Sequence, residues 1–196
     1  MSDGEGKSIV EIIKSAIDHA RGYADHFGWA FNRDLEELGV VELLSKALDA
    51  ENKLFFSEIK IRGRGNDPPD CEAKTNIGKR LAIEVTELVS GEAIRDYKKG
   101  FIFKWAKWSR ESFLTGLQLA INKKDTRYSK LKEPPYPGGY LLVIYTSEPS
   151  LNQEVVQRYL LNHKLSQPTH INYVFLILRY EPKTKKYPYF ELIFDN

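Results

Sequence analysis

The stretch Pro68-Pro69-Asp70-Cys71-Glu72-Ala73-Lys74 puts two carboxylates and an ammonium within seven residues. Glu84 follows inside the apolar run Leu81-Ala82-Ile83-Glu84-Val85. Oxygen ligands of this kind suit a hard divalent cation. Side chains alternate along a strand, so Asp70, Glu72 and Lys74 share one face of the first segment. Ala82, Glu84 and Thr86 share one face of the second. An antiparallel hairpin through Thr75-Asn76-Ile77-Gly78 predicts Glu72 opposite Glu84 and Asp70 opposite Thr86, with Asp70, Glu72 and Glu84 converging. Facing like charges are destabilising unless something neutralises them. Charged residues on short strands usually line a solvated face. Against that, Glu84 lies in the middle of an apolar strand, where a buried carboxylate needs a partner.

The elements that would position these groups can be read from periodicity. Ile9, Ile12, Ile13, Ala16, Ile17 and Ala20 predict a helix over residues 8–20, and Leu35, Leu38, Val41, Leu44 and Leu48 a second over 34–48. Strands are expected at KLFFSEIKIRG, DCEAK and RLAIEVTEL, with the glycine and proline loop GRGNDPP after the first. A helix over residues 103–124 follows, with Leu114, Leu117, Ala120 and Ile121 on its apolar face. YLLVIYT reads as a strand buried on both faces. SLNQEVVQRYLLNH is a helix, and INYVFLILRY and YPYFELIF are two closing strands. This order predicts an α/β fold with one mixed sheet flanked by helices, in a single domain over residues 1–196.

Pro69-Asp70, and then Glu84 fourteen residues on in a hydrophobic strand, resemble the PD-(D/E)xK nuclease superfamily. The order of a helix, three meandering strands, a helix and a fourth buried strand agrees over roughly residues 34–146, leaving a helical N-terminal extension and a C-terminal helix and strands. The resemblance implies a restriction-endonuclease-like αβα sandwich around a central mixed sheet. It also implies Mg²⁺ or Mn²⁺ held by Asp70, Glu84 and the carbonyl of Val85, and hydrolysis of DNA. Glu72 is a further candidate ligand. Glu72-Ala73-Lys74 spells the end of the motif literally, but on the same strand as Asp70. Glu84-Val85-Thr86 is therefore the degenerate version, with Thr86 where the family has lysine.

A phosphodiesterase needs a cation near the attacking water. Leu117, Ile121, Lys124 and Tyr128 fall on one helical stripe, which turns Lys124 inward if the helix runs that far. Lys74, on the Asp70 face of its strand, is the competitor. Lys124 is preferred. The other outcome is a helix ending near Asn122, with Lys123 and Lys124 as solvated charges that suit a helix C-terminus. Glu36 or Glu37 on the second helix is a further acidic candidate, although the flanking Leu35 and Leu38 favour an exposed position. The missing lysine also leaves open a second reading: the same fold without catalysis, serving as a nucleic-acid-binding or protein-interaction module.

Net charge is +2, so phosphate binding must come from local patches. One patch is Arg62 and Arg64 in the glycine loop. Another interleaves Lys104, Lys107 and Arg110 with Trp105 and Trp108, where a helix would put both tryptophans on one face. The glycine loop reads equally as an ordinary polar loop, and paired tryptophans on a helix are more often core, with the lysines covering its rim. A homodimer that cuts both strands is a further expectation of the resemblance, and no stretch of sequence marks its surface. The single cysteine, Cys71, excludes an intrachain disulfide and fits a reducing cytoplasm. The acidic, amphipathic N-terminus does not resemble a secretion signal, and no segment has the ~20 apolar residues that would span a membrane. The four histidines lack zinc-like spacing, and there is neither a nucleophile elbow nor a P-loop.

Overall fold

The computed structural model describes residues 23, 33–63, 65–100 and 105–195. The helix expected over residues 8–20, and Arg64 and Lys104, lie outside them. Helix α1 spans Arg33–Asp49 and buries Glu37, Val40, Val41, Leu44 and Leu48. That stripe differs from expectation at its first turn. Leu35 is 44% exposed, and Glu37 takes the inward position instead. Strands β1 (Phe56–Ile61), β2 (Cys71–Thr75) and β3 (Arg80–Glu87) form an antiparallel meander.

Helix α2, Gly91–Lys98, was not expected from the sequence. Ser90 caps it by accepting from the Ala93 N–H, yet the helix buries no residue. A helix without a buried face leaves no apolar stripe to read. Helix α3 spans Arg110–Asp125 and starts in a capping box between Ser109 and Ser112. Residues 105–109 precede the helix, so Trp105 and Trp108 do not share a helical face as expected. Trp105 is 46% exposed, whereas Trp108 packs against the core.

Strand β4 (Tyr140–Thr146) is buried along its whole length. After helix α4 (Gln153–Leu160) come β5 (Leu165–Ser166), β6 (Tyr173–Leu178), β7 (Tyr189–Glu191) and β8 (Phe194–Asp195). The main sheet has six strands in the order β1-β2-β3-β4-β6-β7. Strands β3, β4 and β6 run parallel, and the outer pairs run antiparallel. Strands β5 and β8 form a separate two-stranded sheet. The architecture is a mixed α/β fold with four α-helices among the described residues. None of these helices is long and apolar enough to cross a membrane.

The sheet separates two apolar clusters. Leu81, Ile83, Val85, Leu141, Val143, Phe175 and Ile177 pack with Val40, Val41, Leu44 and Leu48 of α1. Ala82, Leu142, Ile144, Val174, Leu176 and Leu178 pack with Phe113, Leu117 and Ile121 of α3 and Val156 of α4. Enclosing each large aliphatic side chain contributes about 1.5–3 kcal/mol. The same alternation assigns Glu84: it has the parity of Ala82, so it faces the α3 side of the sheet. At the entrance to β4, Gly138 donates its N–H to the Arg80 carbonyl at 2.7 Å. A Cβ there would sit 2.7 Å from the same oxygen, which explains the glycine.

Candidate functional site

The register of the β2–β3 hairpin decides which carboxylates meet. Lys74 pairs with Arg80, Ala73 with Leu81, Glu72 with Ala82 and Cys71 with Ile83. Continued by one residue, that register brings Asp70 across from Glu84. The expected pairing of Glu72 with Glu84, and of Asp70 with Thr86, is therefore wrong by two residues. A slip of two keeps every side chain on its face, so the parity survives while the partners change.

Glu72 is drawn away from Glu84 by two arginines. It accepts from Arg62 Nη1 at 3.2 Å and Arg80 Nη2 at 2.9 Å. Lys74, at the far end of β2, pairs with Glu58 at 2.7 Å. Arg62 is not a free loop cation, because its Nη1 also donates to Glu133 at 2.7 Å. Thr86 lies two residues beyond Glu84 and pairs with Ile144 of β4. Lys107 is exposed on the segment before α3.

Asp70, Glu84 and Lys124 come together from a loop, a strand and a helix. All three are buried, at 2%, 0% and 5% exposure. Helix α3 runs one turn further than its last apolar residue, Ile121, and this carries Lys124 inward. Its Nζ donates to Asp70 Oδ2 at 3.3 Å and also to Glu84 Oε2. The Val85 N–H donates to Asp70 Oδ2 at 2.8 Å, fixing that carboxylate against β3. Tyr140 of β4 donates its hydroxyl to the Lys124 carbonyl at 3.0 Å, which ties the end of α3 to the sheet.

Arg127 was not singled out from the sequence. Its Nη1 lies 3.2 Å from Glu84 Oε2 and its Nη2 lies 3.9 Å from Asp67 Oδ2. The available signal was its spacing of three residues from Lys124, which repeats the same helical face. Asp70 Oδ1 and Glu84 Oε1 are buried and accept no hydrogen bond. Each carboxylate thus has one oxygen held by the protein and one left over.

Burial pushes the Glu84 carboxyl above its ordinary range. Lys124 pulls it back, while the neighbouring Asp70 adds to the rise. Glu37, buried on α1, was expected on an exposed face. Its carboxyl is pushed up to about 7 by burial and then by the charge of Asp70, and Arg33 only partly offsets this. Arg33 Nε lies 2.6 Å from Glu37 Oε1. Arg33, Asp34, Glu37, Gly63, Asp67 and Asp70 line a small cleft beside the buried carboxylates.

Among the described residues, no group of three or more histidine, cysteine, aspartate and glutamate side chains is placed to hold a metal ion. The Asp70–Glu84 pair offers two carboxylates. Compared with family models, curated proteins and solved structures, the chain matches none.

Proposed function

We propose that this protein is a metal-dependent endonuclease that hydrolyses phosphodiester bonds of DNA. The observation that carries the proposal is Lys124, whose ammonium reaches both Asp70 and Glu84 from a different element. A restriction-endonuclease-like arrangement needs two carboxylates and one lysine at a common point. Here the lysine would come from α3 in place of Thr86.

The donor set fits Mg²⁺ or Mn²⁺. Mg²⁺ commonly takes only one or two carboxylates and keeps several waters, and Asp70 Oδ1 and Glu84 Oε1 are unpartnered oxygens. Asp70, Glu84 and the Val85 carbonyl would hold the ion. When bound, it supplies a water of lowered pKa and polarises the phosphate. Lys124 orients the attacking water from its position between the two carboxylates. Arg127 balances the charge that grows on the phosphate oxygens as the bond breaks. Val85 keeps Asp70 aimed by donating its N–H.

The second reading, a binding module without catalysis, is favoured by one specific feature. Lys124 and Arg127 already neutralise the inner carboxylate oxygens, so the fold does not need a cation to tolerate them. Titration with Mg²⁺ or Mn²⁺ separates the readings. The nuclease shows a metal-dependent rise in melting temperature and nicks supercoiled plasmid, and Asp70→Ala removes both. A protein that binds DNA with neither response is the module.

A further inference from the structure

Just past the buried carboxylates the chain builds an aromatic ledge. Tyr128 stacks on His170, with ring centroids 4.3 Å apart and planes within 6°. Tyr128 is 44% exposed, and His170 is also exposed. The geometry is held from three sides. Asp125, the last residue of α3, accepts the N–H groups of Thr169, His170 and Ile171 at 2.8–3.0 Å. Tyr128 packs against Tyr140 with centroids 6.0 Å apart. Tyr140 in turn hydrogen-bonds the Lys124 carbonyl. Residue 127, between the ledge and Lys124, is the arginine that reaches Glu84.

The stack of parallel rings stands at the surface, with both of its residues exposed. It presents a flat π face that an unpaired nucleobase can cover whatever its sequence. Lys123, Lys130 and Lys132, close to Tyr128 in the chain, are exposed and carry the charge that a polyanion would need. From Tyr128 through Arg127 to Glu84, the route is one residue followed by one side chain. The stack is thus joined to the buried carboxylates through adjacent residues of the chain.

We propose that Tyr128 and His170 form a stacking platform for an unpaired nucleobase near the phosphate that Arg127, and a metal ion at Asp70 and Glu84, would hold. The substrate is then single-stranded DNA, or the frayed or flapped end of a duplex. This rests on the nuclease reading for the identity of the neighbouring phosphate. The platform itself is testable without cleavage.

The experiment measures fluorescence anisotropy of a labelled short oligodeoxynucleotide with the full chain in EDTA, as a single strand and as a blunt duplex. The single strand is expected to bind more tightly. His170→Ala should weaken single-strand binding roughly tenfold, a loss in the range of one base stack, and leave duplex binding unchanged. His170→Phe should restore it, because the ring returns without the imidazole. Scanning one abasic position along the strand should find a position that costs the wild type the same factor and His170→Ala nothing. Equal loss on both forms of DNA, no loss at all, or failure of phenylalanine to rescue overturns the platform. Metal-dependent nicking by a protein that fails this test leaves the catalytic reading intact. Single-strand preference that His170→Ala abolishes supports the platform even where no nicking is found.

Discussion

The ammonium of Lys124 occupies a helix position that would otherwise bury an apolar group, continuing the stripe of Phe113, Leu117 and Ile121. Its stem fits that stripe while its tip joins two carboxylates on the sheet. Removing one partner from a buried ionic cluster costs about 3–5 kcal/mol, since the remaining charges are left uncompensated. Lys124→Met keeps the length and apolar character of the stem, so its defect isolates the charge. Its denaturation midpoint at neutral pH should fall well below that of the wild type. The gap should narrow as pH falls, because a proton on Glu84, whose carboxyl is already raised by burial, then replaces the lost ammonium. Equal stability of the two proteins at neutral pH would mean that the triad is not energetically coupled.

At the scale of elements, the C-terminus of α3 is a joint. Asp125 gathers three consecutive N–H groups of the loop before β6, and Tyr140 of β4 holds the preceding turn. Asp125→Ala strands those donors and should cost about 2 kcal/mol. Amide hydrogen exchange should quicken at residues 169–171 and remain slow in β4, which a general loosening of the fold would not produce. Much of this scale was legible in the sequence. YLLVIYT announced a doubly buried strand, because the periodicity of a packed face is written in residue types, whereas an inward Lys124 depended on a helix end that the spacing left open. The placement of Glu37 was hidden, since a buried acid imitates an exposed one in any pattern of apolar residues. The partners of Glu72 were hidden too. Choosing between registers two residues apart required Arg62 and Arg80, from elsewhere in the meander, to claim that carboxylate.

At the scale of the whole molecule, Glu37 is one carboxyl through which pH acts on stability. Its carboxyl has an ordinary value of 4.5 and stands at about 7 in the fold, chiefly through burial. A carboxyl raised by folding favours the native state fully below its unfolded value and loses that contribution as pH rises through the folded value. Wild-type stability should therefore decline between about pH 4.5 and pH 7 by on the order of 2 kcal/mol relative to Glu37→Gln. Glutamine can still accept from Arg33 but does not titrate. Parallel curves for the two proteins across that range would exclude Glu37 as the source.

The parallel pairing of β3 with β4 joins residues 80–87 to residues 140–146, with α3 lying between them in the chain. A polypeptide emerging from the ribosome therefore delivers both acids long before the strand that anchors the lysine's helix has left the exit tunnel. Until then Asp70 and Glu84 have no ammonium beside them and no walls to shed water. The cluster of two acids and one lysine is therefore assembled only when β4 has joined β3 and Tyr140 has tied down the end of α3.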